Sequence, residues 1–267
     1  MNLQTPTFIQ YGTLTEEQWL KMCVCEIHTP SNKSQVDKRN TPYDPRLGAL
    51  ENGVICETCG QKNSKCPGHW GYIDLAEPCY NPHFIGNVLN ILKCICIGCN
   101  KLLLTQEEII NKGILKSSGE KRIKAFINKT KTIKVCPHDD CKIILPQFVI
   151  DDKYIYYFYD DKTKKQQLSP KIAYDILSVI PNEALEALGM NTNLSSSEYF
   201  KDLEGNHTHA IRPESFIITI LPILPTCIRP WVTQGDEKKD DDISEMYRTI
   251  LRLNKKLKDG VINSTAP

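Results

Sequence analysis

Apolar residues recur at helical spacing in several short stretches of the chain. The predicted helices begin near Thr15, Pro82, Thr105, Ser169, Glu183 and Asp242. Thr15 and Gln18 have the spacing of a capping box, and Ser169-Pro170 has the favoured order of cap and first-turn residues. Gly260 follows the last periodic stretch and is expected to end that helix.

Two other stretches favour strands. Residues 148–159 are rich in Ile and Tyr and are interrupted by Asp151-Asp152, which predicts a β-hairpin, and residues 216–221 form a β-branched run typical of a buried strand. Residues 29–46 and 190–208 are predicted to be loops. Residues 54–80 are dominated by Cys, Gly and Pro, so we expect a bound ion, not helix or sheet propensity, to fix their shape. The mixture predicts an α+β fold.

Composition bounds the class of protein. The 267 residues, 40% of them hydrophobic, suffice for one large or two modest globular domains. The longest apolar run, residues 216–228, is interrupted by Pro222 and Pro225, which argues against a membrane helix. The N-terminus lacks a basic start and an apolar core, so secretion is not indicated and we expect an intracellular protein. Nucleus, cytoplasm and virion are not distinguished.

Charge is balanced overall but not locally. The 33 basic and 32 acidic side chains nearly cancel, so any contact with nucleic acid needs a local patch. Residues 112–134 carry eight basic residues against the single acid Glu120. The candidate nucleic-acid contacts there are Lys121, Arg122, Lys124, Lys129 and Lys131. An ordinary solvated surface is the alternative interpretation of the same residues.

The first cysteine set has the spacing of a zinc site. Two close pairs, Cys56-x-x-Cys59 and Cys66-x-x-His69, are separated by six residues. Each pair can chelate one ion through a tight turn, and four such ligands suit tetrahedral zinc. Gly60 lies where the chain must reverse. The set therefore predicts one structural zinc ion.

The second cysteine set is spread more widely. Cys96-x-x-Cys99 is followed after a long insertion by Cys136, with Cys141 after four more residues. The two pairs can close one site if the chain returns, because closure entropy grows slowly with loop length. His138, inside the wider pair, is a rival ligand, so three cysteines with one histidine stay possible.

Both predicted sites are structural rather than catalytic. Neither has an obvious open coordination position or a carboxylate placed as a base, which argues against a zinc hydrolase. Of the remaining cysteines, Cys23 and Cys94 are expected to be small buried core residues.

Several segments, taken in order, resemble the start of the largest subunit of multisubunit DNA-directed RNA polymerases of the eukaryotic, archaeal and large-DNA-virus type. The first cysteine set and the pair Cys96-x-x-Cys99 are part of the resemblance, with Trp70-Gly71-Tyr72-Ile73-Asp74-Leu75 after the former and Asn100-Lys101-Leu102-Leu103-Leu104 after the latter. The other matching segments are Ile9-Gln10-Tyr11-Gly12, Asp44-Pro45-Arg46-Leu47-Gly48, Arg212-Pro213-Glu214, Leu221-Pro222 and Ile228-Arg229-Pro230. Residues 105–135 and 190–210 match least.

The resemblance implies a clamp, a mobile jaw that closes over DNA and the RNA–DNA hybrid. It implies an irregular zinc-braced clamp core with a mixed helical and β clamp-head insertion: residues 1–92 as clamp core with the first zinc, 93–212 as clamp head with the second, and 213–267 as the return to the core. Residues 232–242 would form the lid, a loop that helps separate transcript from template. The implied partners are other polymerase subunits, including the second-largest, together with DNA and RNA–DNA hybrid.

The chain also departs from that family. Its lid candidate is acidic, which weakens any grip on a phosphate backbone there. The magnesium-binding motif Asn-Ala-Asp-Phe-Asp-Gly-Asp is absent, so we expect Mg²⁺ only in a catalytic part outside this chain and no nucleotidyltransferase activity from the chain alone. The chain is then expected to be a fragment or one piece of a split subunit. A free-standing zinc-binding adaptor for nucleic acid or protein is the alternative function.

Overall fold

The computed structural model describes residues 13–30, 37–49, 51, 53–62, 65–117, 119–161, 163–190, 212–234 and 237–260. The chain divides into two compact units. The terminal unit contains Glu16–Pro78 and Ile218–Pro267, and the central unit contains Cys79–Ile217 with the first fifteen residues. The segment of residues 9–12 quoted above and most of the predicted loop 190–208, from residue 191 on, lie outside the described residues.

The terminal unit contains a three-stranded sheet. Strands β1 (Cys23–Glu26), β2 (Trp70–Tyr80) and β6 (Ile217–Ile223) lie in the order β1-β2-β6, and β1 is parallel to β2. The predicted strand 216–221 is thereby confirmed. The expectation that residues 54–80 owe their shape to something other than sheet propensity is wrong for residues 70–80, because aromatic and branched side chains there alternate across a half-buried strand.

Two predicted helices of the terminal unit are confirmed, α1 (Glu16–Met22) and α7 (Asp242–Lys258). The cap of α7 is Asp241, whose carboxylate accepts the N–H groups of Ile243 and Ser244. α7 buries Tyr247 and Leu251 in a core that contains Ile27, Leu47, Ile73 and Ile223. An antiparallel hairpin, β7 (Val232–Gln234) and β8 (Glu237–Lys239), precedes this helix.

The central unit is mainly helical and confirms four further predicted helices. These are α2 (Ile85–Leu92), α3 (Gln106–Asn111), α5 (Pro170–Ser178) and α6 (Asn182–Ala187). α3 begins with a complete capping box, in which Thr105 Oγ1 accepts the Glu108 N–H at 3.3 Å and the Glu108 carboxylate accepts the Thr105 N–H at 3.0 Å.

One helix of the central unit was not among the predicted elements. α4 (Gly119–Thr130) occupies the lysine-rich stretch. Its apolar residues Ile123, Phe126 and Ile127 fall on one side, and Phe126 is 0% exposed in the core. In the sequence, the lysines around these apolar residues obscure their helical spacing.

The predicted β-hairpin of the central unit is confirmed. β3 (Gln147–Asp151) pairs antiparallel with β4 (Tyr154–Phe158), and the short strand β5 (Gln166–Gln167) pairs with β4. Asp152 takes a positive φ of 53° in the two-residue turn, a conformation that aspartate tolerates. Ile155 and Phe148 bring the hairpin into the same core as α2 and α4.

None of the helices in the described part of the chain is both long enough and apolar enough to cross a bilayer.

Candidate metal centres

The four predicted donors of the first set converge in the terminal unit. The sulfurs of Cys56, Cys59 and Cys66 and a ring nitrogen of His69 all lie within 4.8 Å of one another. Cys59 Sγ lies 3.6 Å from Cys66 Sγ, and Cys66 Sγ lies 3.7 Å from His69 Nε2. Around zinc with Zn–S bonds of about 2.3 Å, two tetrahedral sulfur ligands lie about 3.8 Å apart. The donors present therefore fit a tetrahedral zinc ion.

Local backbone geometry brings the first pair into place. Ile55 and Lys62 form an isolated antiparallel bridge, and the Cys56 N–H donates to Gln61 O at 2.9 Å. The chain reverses at Gly60, whose φ is 68° and whose N–H donates to Cys56 O. These hydrogen bonds shape the turn that brings the sulfurs of Cys56 and Cys59 together.

Gly68 positions the second pair for a steric reason as well as a conformational one. Its φ is 80°, and a Cβ at this residue would lie 2.5 Å from Pro225 Cβ and 2.6 Å from Cys227 Sγ. The Gly68 N–H also donates to Cys66 Sγ at 3.4 Å. The next residue, His69, donates its N–H to Leu47 O at 2.9 Å. Only glycine fits this position without displacing its neighbours.

A buried ion pair lies close to the first set along the chain. Asp44 is 0% exposed, and its carboxylate accepts three hydrogen bonds from Arg46 and one from the Asn40 N–H. Burial alone would raise the pKa of Asp44, but these hydrogen bonds lower it overall. The Arg46 carbonyl in turn accepts the Thr58 hydroxyl at 2.7 Å. Asp44 and Arg46 thus fix the segment that precedes the first knuckle.

The four cysteines of the second set converge in the central unit. All four sulfurs lie within 4.8 Å of one another. Cys96 Sγ lies 3.7 Å from Cys141 Sγ, and Cys99 Sγ lies 3.8 Å from Cys136 Sγ. These separations again match the edges of a zinc tetrahedron. The chain between Cys99 and Cys136 therefore returns to the first cysteine pair, as a single four-cysteine site requires.

Two knuckles of similar design hold these cysteines. In the first, Ile95 bridges Leu102 and the Cys96 N–H donates to Lys101 O; in the second, Val135 bridges Ile144 and the Cys136 N–H donates to Ile143 O. The second knuckle has more residues between its cysteines, and Lys142 adopts the left-handed conformation there, with a φ of 49°.

His138, the rival ligand, lies beside this site. Its Nδ1 is 3.1 Å from Cys136 Sγ and 3.4 Å from Cys99 Sγ. The four cysteines alone already supply a closed tetrahedral set, so a protonated Nδ1 would donate to two ligand sulfurs from outside it.

The thiols of the second set do not ionise alike. Burial raises the pKa of Cys96 to about 12, whereas the Ile143 N–H helps to lower the pKa of Cys141. Four neighbouring thiolates repel one another, so full ionisation of the set requires a cation among them.

Cys23 and Cys94 belong to neither converging group of the described residues, but only Cys94 is the buried core residue that was expected of both. Cys94 is 0% exposed, and burial raises its pKa to about 12. Cys23 is half-buried and donates its thiol to Gly71 O at 3.3 Å.

The predicted nucleic-acid contacts cluster on and just after α4. Lys121, Lys124, Lys129 and Lys131 are exposed, and Lys124 pairs with Glu120 at 2.7 Å. Arg122 differs, because its guanidinium donates to the carbonyls of Ser117, Glu186 and Leu115. Arg122 therefore holds α4 against its neighbours, and the four lysines form the exposed basic row.

Two arginines of the sequence motifs, Arg229 buried and Arg212 half-buried, make internal hydrogen bonds that the motifs do not indicate. Arg229 is 1% exposed and joins three separate segments of the terminal unit, while Arg212 pairs with Glu214 at 2.6 Å and donates to Ile180 O at 2.9 Å in the central unit. An arginine next to a proline within an apolar stretch is the sequence signal for such a residue.

The chain is similar to known polymerase subunits. A family model described as RNA polymerase Rpb1, domain 1 matches residues 6–266. The chain is 28% identical over 266 residues to DNA-directed RNA polymerase subunit Rpo1N of Methanocaldococcus jannaschii, covering 95% of this chain and 18% of that protein. It is 30% identical over 251 residues to a probable DNA-directed RNA polymerase II subunit RPB1 homolog of Invertebrate iridescent virus 6, covering 92% and 23%. For Rpo1N of Thermococcus celer the identity is 29%, covering 95% and 28%. The chain thus spans 18% to 28% of the length of these curated relatives.

Proposed function

Because the chain belongs to the RNA polymerase Rpb1, domain 1 family, we propose that it forms the clamp of a DNA-directed RNA polymerase and closes over DNA and the RNA–DNA hybrid during transcription. The observation that carries this proposal is the family match across residues 6–266. The relatives that cover most of the chain are named as subunits of DNA-directed RNA polymerase.

We assign one structural zinc ion to each converging set. Cys56, Cys59, Cys66 and His69 would hold the first, and Cys96, Cys99, Cys136 and Cys141 the second. Zinc bound in such sites contributes on the order of 10 kcal/mol to folding, comparable with the net stability of a whole domain. In this proposal the ions stiffen the clamp and take no part in chemistry.

Within this proposal, each range of the chain is assigned to one part of the clamp. Residues 1–92 and 213–267 would form the clamp core, and residues 93–212 the clamp head. The hairpin of β7 and β8 would be the lid. The residue that follows the hairpin, Asp240, pairs with Arg248 at 2.8 Å, so the base of the hairpin is tied to α7.

Catalysis would belong to the assembled enzyme. The Asn-Ala-Asp-Phe-Asp-Gly-Asp motif is not in this sequence, so Mg²⁺ and nucleotidyl transfer would be supplied by a part of the complex outside it. The partners would be the other polymerase subunits, including the second-largest.

Zinc content and co-purification test this function. The tagged chain should carry two zinc ions and bring down a second-largest polymerase subunit. Cys66→Ser should leave one ion and abolish assembly, whereas Cys227→Ser, which alters an exposed cysteine outside both sets, should leave both ions. Cys136→Ser and Cys79→Ser form the equivalent pair for the second site. Zinc without any polymerase partner would favour the free-standing adaptor, and folded chain without zinc would refute both.

The basic row is tested by the salt dependence of DNA binding. Each phosphate that a lysine neutralises contributes about 0.9 to the slope of log affinity against log salt. Replacing Lys121, Lys124, Lys129 and Lys131 by Ala should therefore lower the slope by up to about 3.6. Arg122 is kept because its bonds are internal. A control that replaces four exposed lysines elsewhere should leave the slope unchanged; its sites are Lys101, Lys153, Lys164 and Lys171. Equal slopes for both variants would assign the row to solvent.

A further inference from the structure

A groove lies beside the second cysteine set in the central unit. Its volume is about 380 Å³, within the range of pockets that bind ligands. The walls come from the end of α2, the first knuckle, the residues after α4 and the start of β3. Its deepest lining residues are aliphatic: Leu92 and Ile95 are 1% exposed and Leu103 is 5% exposed.

The rim of the groove is basic. Lys93, Lys131 and Lys134 line it, and the latter two are exposed. No Asp or Glu is among the described residues that line it. The ion pairs found across the described chain involve none of these three lysines. The rim thus offers uncompensated positive charge around an apolar floor.

The groove is held open by bonds that need no occupant. Thr130 Oγ1 donates to Lys93 O at 3.2 Å and so ties the end of α4 to the end of α2. The Leu145 N–H donates to Lys134 O at 2.9 Å and closes the wall near the second knuckle. Preformed walls lower the ordering cost of binding.

We propose that this groove binds an acidic amphipathic segment of another protein, with aliphatic side chains on the floor and carboxylates against the three lysines. The charge of the rim selects an acidic partner, and the aliphatic floor selects a peptide over a nucleic acid. Phe148, the aromatic residue among the lining residues, is only 8% exposed and offers no free face for base stacking.

The test uses the zinc-loaded 267-residue chain and a short fluorescent peptide that alternates leucine with glutamate. Fluorescence anisotropy gives the affinity. Three other probes are measured in parallel: a serine–glutamate peptide, a leucine–lysine peptide and single-stranded oligothymidylate. Charge reversal at the rim uses Lys93→Glu with Lys134→Glu, because Lys131 also belongs to the basic row proposed to contact DNA. It is compared with a matched reversal outside the groove, Lys153→Glu with Lys171→Glu. Circular dichroism and zinc content verify that each variant is folded.

The leucine–glutamate peptide should bind at least about tenfold more tightly than the other three probes, and the rim reversal should weaken it about tenfold. The control reversal should change the affinity less than about twofold. Equal binding of the serine–glutamate peptide would mean that the floor plays no part. Preferred binding of oligothymidylate would make the rim a nucleic-acid surface. Either result, an absence of peptide binding, or an unaffected rim variant overturns the proposal.

Discussion

Replacing Arg229 by methionine should destabilise the terminal unit by about 3 kcal/mol. Arg229 is 1% exposed, and its guanidinium donates to three acceptors from separate segments: Leu224 O at 2.9 Å, Ser244 Oγ at 2.7 Å and Pro42 O at 2.6 Å. It also lies over the Tyr247 ring, 5.5 Å from the centroid. One side chain therefore joins a loop, the end of a strand and the first turn of α7.

The magnitude follows from the acceptors left behind. A buried acceptor without a donor costs about 1–3 kcal/mol, and two of the three are carbonyls that cannot turn away. Burial lowers the pKa of Arg229, but a guanidinium stays charged, so methionine also removes the cost of burying that charge. Methionine fills a similar volume, which keeps the cavity cost small. The two effects leave a net loss of about 3 kcal/mol.

Tryptophan fluorescence measures this loss in the relevant part of the chain. All three tryptophans, Trp19, Trp70 and Trp231, lie in the terminal unit. Guanidinium unfolding of the zinc-loaded protein, followed by their emission, therefore reports the free energy of unfolding of that unit.

Two further variants separate the causes. Arg252→Met changes an exposed arginine of α7 and should cost less than about 0.5 kcal/mol. Arg229→Lys keeps the charge but loses the planar fork, so it should recover only part of the stability. If Arg229→Met unfolds at the same denaturant concentration as Arg252→Met, the three hydrogen bonds do not contribute and the reasoning fails.

Two further substitutions test the metal sites, and a third tests a pair of hydrogen bonds in the terminal unit. Gly68→Ala should lower zinc retention at the first site far more than Gly60→Ala. Both glycines have positive φ, but only a methyl group at Gly68 would collide with its neighbours. Equal zinc retention of the two variants in a chelator competition would contradict this steric explanation. His138→Ala should leave the four-thiolate absorption spectrum of cobalt-substituted protein unchanged while weakening metal affinity about tenfold, and a changed charge-transfer spectrum would make His138 a ligand. Asn254→Leu should lower the free energy of unfolding by about 1–3 kcal/mol, because Asn254 accepts the Ala76 N–H at 2.7 Å and donates to Asp74 O at 2.8 Å. Wild-type stability in the fluorescence assay would show that water replaces both hydrogen bonds.

The helices predicted from the sequence are those whose signals are local. The capping box of Thr105, the Ser169-Pro170 step and the apolar spacing of residues 82–92 are signals within a few residues, so the chain alone is enough to locate α2, α3 and α5. Strand β2 and helix α4 were missed for opposite reasons. β2 follows directly on a Cys-, Gly- and Pro-rich segment, and the lysines of α4 hide the apolar face that packs around Phe126.

The two metal centres also differ in how far the sequence alone predicts them. The pairs Cys56/Cys59 and Cys66/His69 chelate through short turns, so their spacing alone predicts a first site. The second site needs the chain to return across an insertion, and only the fold shows that Cys136 and Cys141 come within reach of the first pair.

The local elements, the composition of both donor sets and the family resemblance follow from the amino-acid order, because each depends on residues close together in the chain or on motifs in a fixed order. Which charged side chains make internal hydrogen bonds depends on the packed fold. Arg122 looks like an ordinary surface charge in the sequence, and the Arg229-Pro230 step does not identify partners, yet both guanidinium groups bind carbonyls of distant segments. Hydrogen bonds of this kind form only after packing brings remote backbone together and excludes the water that would otherwise satisfy both partners.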